Sequence, residues 1–425
     1  MRLMKSILVA VTLCCIAAGA LRSSTAHGPA AAPPFAANYQ DIPPGFDFPA
    51  DEAALLGFRD SGAVSAMRKH AWMVFAGMTQ PTAGGEAIWE TWFSEDETFA
   101  AGPAPQGIGP RRLQRRFHNP RQFATTNRGP APQAVGASLL SFVLFNKDTF
   151  THIRSNRLYE KATLDKINQS FDQNHTPVER REVAPFPRTA MSLKAVWWLV
   201  RQSGLTAMPI WDGKPTRPDV RGNPYPTWAR FVAVDPSRTQ IPPNEKTDVL
   251  FQGQTKKDSH VVPLAGFYSF QIGPNEVQAI RSVNGFETAQ VGDYAALVGM
   301  HVTTKEIPDW IWATFWWHDR PNDGGFAQDR PGAVSGVWRN YLMDVAYSSD
   351  VPKESDNTPH VCFNPWLEAR FSGGLTSNCM ACHQRSVWTT TPFLPVTRGS
   401  LPADDQYFVG KTKLDFLWSV SLSSR

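Results

Sequence analysis

The sequence predicts an α+β fold, helical in its N-terminal part and β-rich in its C-terminal part. Two observations carry that class. Apolar residues recur at helical spacing in the front half, as in Ala53, Leu55, Leu56 and Phe58 behind Asp51-Glu52. After Trp228 the pattern changes to short apolar runs bounded by Gly, Pro, Asn or Asp, which is strand punctuation. A third observation completes the class: Cys379-Met380-Ala381-Cys382-His383 has the C-x-x-C-H spacing of a c-type haem attachment segment.

Taken in chain order, Met1-Arg2-Leu3-Met4-Lys5 forms a positive start, and Ser6 to Ala20 follows without a charge. Ala18-Gly19-Ala20 or Ser24-Thr25-Ala26 offers a cleavage site, so residues 1–26 are expected to be a secretory signal peptide. Cys14 and Cys15 lie inside it and lack the small preceding residue of a lipoprotein signal. No other stretch is apolar and long enough to span a bilayer, so no stable membrane span is expected after cleavage. Cleavage takes Lys+Arg from 42 to 39 against 38 Asp+Glu, leaving a net charge of about +1. Such a balance argues against nucleic acid as a partner. Three cysteines of five remain, Cys362, Cys379 and Cys382, so the framework is not built on disulfides.

Residues 27–49 form a Pro/Ala-rich leader with no core of its own. Residues 50–425 then form a single large body, with a possible sub-boundary near 205–228, where Pro209 to Pro226 interrupts the pattern. Helices are expected over 156–171 and over 189–200, the second ended by Gly204. Met67 and His70 also sit at helical spacing, where core packing is the plainer reading. A strand is expected over 138–145, and others over 230–234, 261–272 and 294–303. The basic stretch 100–135 carries Arg111, Arg112, Arg115, Arg116, Arg121 and Arg128. It reads as a solvated loop; the functional alternative is that some of these arginines pair with haem propionates or dock an acidic redox partner.

The motif assigns each residue a task. Cys379 and Cys382, one helical turn apart, can each form a thioether to one porphyrin vinyl group, and His383 can reach the iron as proximal ligand. Met380 and Ala381 are spacers. Two other readings compete. A thioredoxin-like pair needs a βαβ setting that is not evident here. A zinc site could draw on His360, Cys362, Cys379 and Cys382. Neither Met nor His follows His383, so a sixth iron ligand must come from upstream or the position stays open. Candidates are His301, His318, His360, Met300 and Met343, with Cys362 as a further, weaker one.

His301 ranks first as distal candidate and His318 second. Both belong to an expected hairpin that turns around Lys305 to Asp309. Alternation places Trp310, Trp312, Thr314, Trp316 and His318 on one face, an indole surface suited to a flat macrocycle. Pairing His301 with Trp312 adds His301 to that face. The two histidines then stand about six residues, or roughly 20 Å, apart, so one iron can take at most one of them. The plainer reading leaves each as a hydrogen-bonded core or rim residue. Asp319 could orient His318.

The chain resembles bacterial exported proteins of a monohaem "cytochrome c family". The resemblance rests on Phe186-Pro187 with Leu193-Lys194-Ala195-Val196-Trp197, on the segment from Gly299-Met300-His301-Val302 through Pro308-Asp309-Trp310-Ile311-Trp312-Ala313-Thr314-Phe315 to His318, and on Thr376-Ser377-Asn378 before the haem motif. It implies a periplasmic haem protein. The family pattern has an acidic residue before the second histidine, where this chain has Trp317, which weakens the transfer of an acid–base role to His318.

Three functions are compatible. The first is a periplasmic electron-transfer protein with one covalent haem c and its iron, served by a redox partner protein. The second is a haem enzyme, oxidase or peroxidase-like, with an open distal site; His318, Asp319 and Arg320 form the best local set for it. The third is a sensor or relay subunit docked through the arginine loop.

Overall fold

The computed structural model describes residues 39–102, 117–121, 139–213, 225–370, 373–388 and 399–425. The expected signal segment, the leader up to residue 38, and Arg111, Arg112, Arg115, Arg116 and Arg128 lie outside them. Helices are concentrated toward the front and strands toward the back, a mixed α+β class.

The first helix, α1 (Glu52–Ser61), starts where Asp51 accepts a hydrogen bond from the Ala54 amide at 2.9 Å and ends at Gly62, whose φ of 64° suits glycine. Helix α2 (Val64–Met78) follows and is buried on most of its surface. Later come α3 (Glu95–Phe99), α4 (Lys147–Ser155), α5 (Lys161–Gln173) and α6 (Val277–Arg281). The helix expected at 156–171 thus begins later, because Asn156 closes α4 and Arg157 turns with φ 53°.

The main sheet holds β1 (Phe93–Ser94), β2 (Leu140–Phe145), β3 (Met191–Val200), β9 (Tyr294–Thr304), β10 (Ile311–Trp317) and β11 (Tyr341–Ala346) in that spatial order. The short β8 (Ser269–Gln271) pairs with the start of β9. Every pairing in this sheet is antiparallel. A second sheet runs β4 (Thr206–Ile210), β5 (Arg230–Asp235), β7 (Gln254–Pro263), β6 (Lys246–Phe251), with β5 and β7 parallel. The chain passes from the main sheet to the second between Val200 and Thr206, and the described residues all belong to one compact unit. The run expected as one strand over 261–272 is broken after Pro263, which cannot donate to a ladder.

Residues 189–200 correct an expectation. They were expected to be helical, but Met191–Val200 is a central strand between β2 and β9. Both of its faces are covered, so its apolar run does not alternate and imitates a buried helix. Its one charge is Lys194.

The main sheet separates two cores. On one face, α2 packs down and Phe75 stacks on Phe315 with ring centroids 3.9 Å apart. The other face carries a smaller core that includes Phe145, Trp310, Trp312, Cys362, Met380 and Leu417. That face also receives the C-terminal elements α7 (Pro365–Glu368), α8 (Cys379–His383) and α9 (Trp418–Ser423). Among the described residues no helix is long and apolar enough to cross a membrane.

Phe315 is 1% exposed and belongs to the larger core. Phe315→Ala should therefore cost about 3–5 kcal/mol of unfolding free energy in urea. Leu250→Ala, at a side chain 67% exposed, should change it by less than about 0.5 kcal/mol.

Candidate functional site

The C-x-x-C-H residues form the short helix α8. Asn378 starts it, accepting from the Met380 amide at 2.9 Å. The same side chain donates to the carbonyls of Ser348 at 3.3 Å and His360 at 3.1 Å, which ties the helix to the body. At the far end, the Trp418 indole donates to the Cys382 carbonyl at 3.2 Å. Met380, expected as a spacer, is buried in the smaller core and anchors the helix by packing.

His383 has a defined tautomer. Its Nδ1 lies 2.9 Å from the Phe416 carbonyl, which can only accept, so Nδ1 carries the hydrogen. In the neutral ring Nε2 then keeps its lone pair, the state a metal ligand requires. Burial pushes the His383 pKa down to about 4, so the ring is neutral at pH 7. Asp415 and Phe416 both adopt positive φ, 45° and 67°, and this turn presents the carbonyl. Asp415 is held by the Phe186 amide at 2.8 Å, by the Trp310 indole at 3.2 Å and by Lys305.

A cleft of about 1240 Å³, counting the part open to solvent, lies beside the motif. Cys379, Cys382 and His383 line it together with His301. Its floor is the main sheet. Cross-strand pairing puts Val143, Lys194, His301 and Thr314 in one row across β2, β3, β9 and β10. Ser192, Thr303 and Trp312 form the next row on the same face. The opposite wall comes from Leu417, Trp418 and Leu422. The Trp312 and His383 rings touch, with centroids 4.0 Å apart.

The floor is polar and buried. Burial drives the His301 pKa well below its usual value, and the Lys194 and His383 charges act the same way. His301 Nε2 is buried and makes no hydrogen bond; Glu368 Oε1 stands 3.6 Å away, beyond bonding distance. Burial raises Glu368 to about 8 and lowers Lys194 to about 8, against the partial attraction of each for the other. At neutral pH the carboxyl beside His301 is therefore mostly protonated, and the contact is not an ion pair. At the cleft's edge, burial alone would raise Glu95, but His118, the Arg121 guanidinium and Ser423 hold it at about 2. Arg121 reaches Glu95 at 2.6 Å and Ser423 Oγ at 2.7 Å.

The structure thus brings Cys379, Cys382, His383 and His301 to one cleft. His318 lies elsewhere: its Nε2 is 3.3 Å from the Trp211 carbonyl, and its Nδ1 accepts from the Arg320 amide at 2.9 Å. The hairpin turns where expected, but its register differs, pairing His301 with Thr314 rather than Trp312. His318 is then four residues from that pair, about 13 Å along the strand. Because the shift is even, His301 keeps its face. The indole surface is smaller than expected. Trp316 packs against Trp211 and Phe326, and Trp310 joins the Asp415 cluster, leaving Trp312 and Trp418 in the cleft.

Met300 and Met343 face the larger core. His360 contacts Glu354 and the Val345 carbonyl, both at 3.3 Å. Among the described residues no three His, Cys, Asp or Glu side chains are grouped as metal ligands, so the His360/Cys362/Cys379/Cys382 zinc set is not assembled. Lys194, Glu368, Glu95 and His118 were not singled out from the sequence. Lys194 left a signal, a lone charge inside an apolar strand; the other three left none.

No protein-family model matches this chain, and no curated protein or solved structure matches it.

The two buried groups give opposite pH dependences. The folded Glu368 pKa of about 8 lies above the unfolded value of about 4.3. The stability tied to its proton is complete below about pH 4.3 and is lost as pH rises through 8. His383, at about 4 when folded and 6.5 when not, contributes stability above 6.5 that is lost as pH falls through 4. Lys194, depressed to about 8, opposes Glu368 only as that pH is approached. Urea unfolding free energy should fall by about 1 kcal/mol per pH unit between roughly pH 6.5 and 7.5, and Glu368→Gln should flatten the slope. An unchanged slope in the variant would refute the assignment.

Proposed function

We propose that this chain is a periplasmic monohaem c-type cytochrome that transfers electrons through one covalently held haem. The observation that carries the reading is the convergence of Cys379, Cys382 and a His383 with its Nε2 lone pair available on a single cleft. The residues present fit the group. Two thiols and an imidazole stand on one short helix, and a buried His301 nitrogen without a hydrogen bond lies on the cleft floor. Cys379 and Cys382 would hold the haem by thioether links, His383 would ligate the iron, and His301 is the candidate for the sixth position. Bound haem supplies a one-electron couple.

The chain's own residues set the conditions for that couple. The Phe416 carbonyl orients His383 and makes it a better donor. Trp312 and Trp418 exclude water from the motif's side of the cleft. The apolar wall lowers the local dielectric, while the positive charge of Lys194 on the floor favours the more negative, reduced form. A redox partner protein would exchange electrons at the open side. Export by the expected signal peptide agrees with attachment of haem outside the cytoplasm, and the resemblance to exported monohaem proteins points the same way.

A second reading, a haem enzyme with an open distal site, is favoured by one observation. His301 is flanked by Glu368 and by Lys194, its cross-strand partner. A mostly protonated carboxyl and a neutral imidazole side by side can give and take a proton at His301 Nε2 and Glu368 Oε1.

Expression with haem-maturation machinery should yield one covalent haem per chain, and Cys379→Ala with Cys382→Ala should abolish covalent attachment. A low-spin spectrum unmoved by carbon monoxide is the result expected for electron transfer with His301 as ligand. His301→Ala should then convert it to a high-spin, carbon monoxide-binding spectrum. High-spin ferric protein that binds carbon monoxide without any mutation would favour the enzyme. Colourless protein with stoichiometric zinc would overturn both.

A further inference from the structure

Cys362 is the third cysteine of the body, and the motif has no use for it. Its Sγ lies 3.8 Å from Cys379 Sγ. The approach is built by the backbone. Cys362 pairs with Asn378 in a parallel bridge, with the Cys362 amide donating to the Ser377 carbonyl at 3.0 Å and the Cys379 amide to the Cys362 carbonyl at 3.2 Å. Asn378, which starts the motif helix, also holds the His360 carbonyl just before Cys362. The two cysteines are therefore clamped side by side from both chain directions. A disulfide needs the sulfurs about 2.05 Å apart, a closure that side-chain rotation can supply once the backbones are adjacent.

Their surroundings differ. Cys379 lines the cleft and is partly exposed, whereas Cys362 is 0% exposed in the smaller core. The accessible sulfur is also the one that haem attachment requires. One sulfur can enter either a thioether or a disulfide, so the two fates exclude each other.

We propose that Cys362 and Cys379 form a disulfide in the chain before haem is attached, and that this bond withholds Cys379 until a thiol reductant opens it. The second half rests on the haem reading; the first does not. The co-reactant is a disulfide oxidant, such as oxidised glutathione. The Cys379 thiol loses its proton and attacks one sulfur of the oxidant, which releases one thiol and leaves a mixed disulfide on Cys379. The Cys362 thiol loses its proton and attacks the Cys379 sulfur, which releases the second thiol and closes the bond. Two electrons pass from the cysteine pair to the oxidant, and a dithiol reverses both steps. The buried Cys362 is the resolving sulfur, sheltered from external thiols.

The test uses the full haem-free chain, equilibrated with oxidised and reduced glutathione, quenched by an alkylating agent and mapped by peptide mass spectrometry. A linked peptide pair containing Cys362 and Cys379 is expected as the main oxidised product. A Cys379–Cys382 link, or alkylation of Cys362, Cys379 and Cys382 alike after oxidation, would overturn the proposal. Haem loading is then compared with and without prior reduction. Oxidised wild type should load at least tenfold less haem than reduced wild type, while Cys362→Ser should load equally in both states. A Cys362→Ser chain that still needs reductant would remove the gating role. The mapping stands on wild type alone should that variant fail to fold. If reduced wild type takes no covalent haem, the functional reading fails while the mapped disulfide stands.

Discussion

The hydrogen bond from His383 Nδ1 to the Phe416 carbonyl is the constraint on which the cleft depends, because it decides which imidazole nitrogen keeps a lone pair. The short motif helix cannot impose this by itself. It needs a carbonyl delivered by a turn with two consecutive positive φ angles at Asp415 and Phe416, a conformation costly for residues other than glycine. Asp415 holds that turn in place through the Phe186 amide, the Trp310 indole and Lys305. Lys305 and Trp310 sit in the connection between β9 and β10, the strands that carry His301 and Trp312. The orientation of the motif's imidazole and the position of the cleft floor are therefore set by one buried cluster. The Lys305 and Asp415 side chains are 8% and 3% exposed, so removing either partner would strand a buried charge.

The floor sets cost against chemistry. A lysine and a histidine on the buried face of a sheet, with a carboxyl packed against them, do not serve stability, since burying such groups disfavours their charged forms. Here Glu368 answers by holding its proton and His301 by staying neutral. Gly299, on the same face of β9 as His301, lets Asn364 come down over the sheet. A Cβ there would sit 3.2 Å from the Asn364 amide. Asn364 bonds Thr314 Oγ1 at 2.9 Å and the Phe315 carbonyl at 3.0 Å, and it starts the helix that delivers Glu368. The neighbour of His301 is thus set by a helix packed on the sheet and not by the sheet itself.

Several features were legible because they are local. Asp51 capping α1, the hairpin turn around Lys305 to Asp309, and the one-turn spacing of Cys379 and Cys382 each depend on a few consecutive residues. The strand at 191–200 was not legible. A strand covered on both faces loses the alternation that distinguishes it from a buried helix. The hairpin register was misjudged by two residues, which preserved the face of His301 and altered only its distance to His318. Pairing Cys362 with Cys379 was beyond reach for another reason: seventeen positions separate them, and an isolated backbone bridge joins them.

By itself the sequence determined the one-turn spacing of Cys379 and Cys382 ahead of His383, the α+β class and the turn between the strands that carry His301 and Trp312. Those follow from bond geometry and preferences acting within about one turn or one hairpin. Tertiary structure alone decided that His301 rather than His318 shares a cleft with the motif, that Lys194 and Glu368 stand beside it, and that Phe416 selects the His383 tautomer. The reason is physical. Sheet register brings Val143, Lys194, His301 and Thr314 into one row from four separate strands, and no pattern within any one strand encodes which residues of the others it will face.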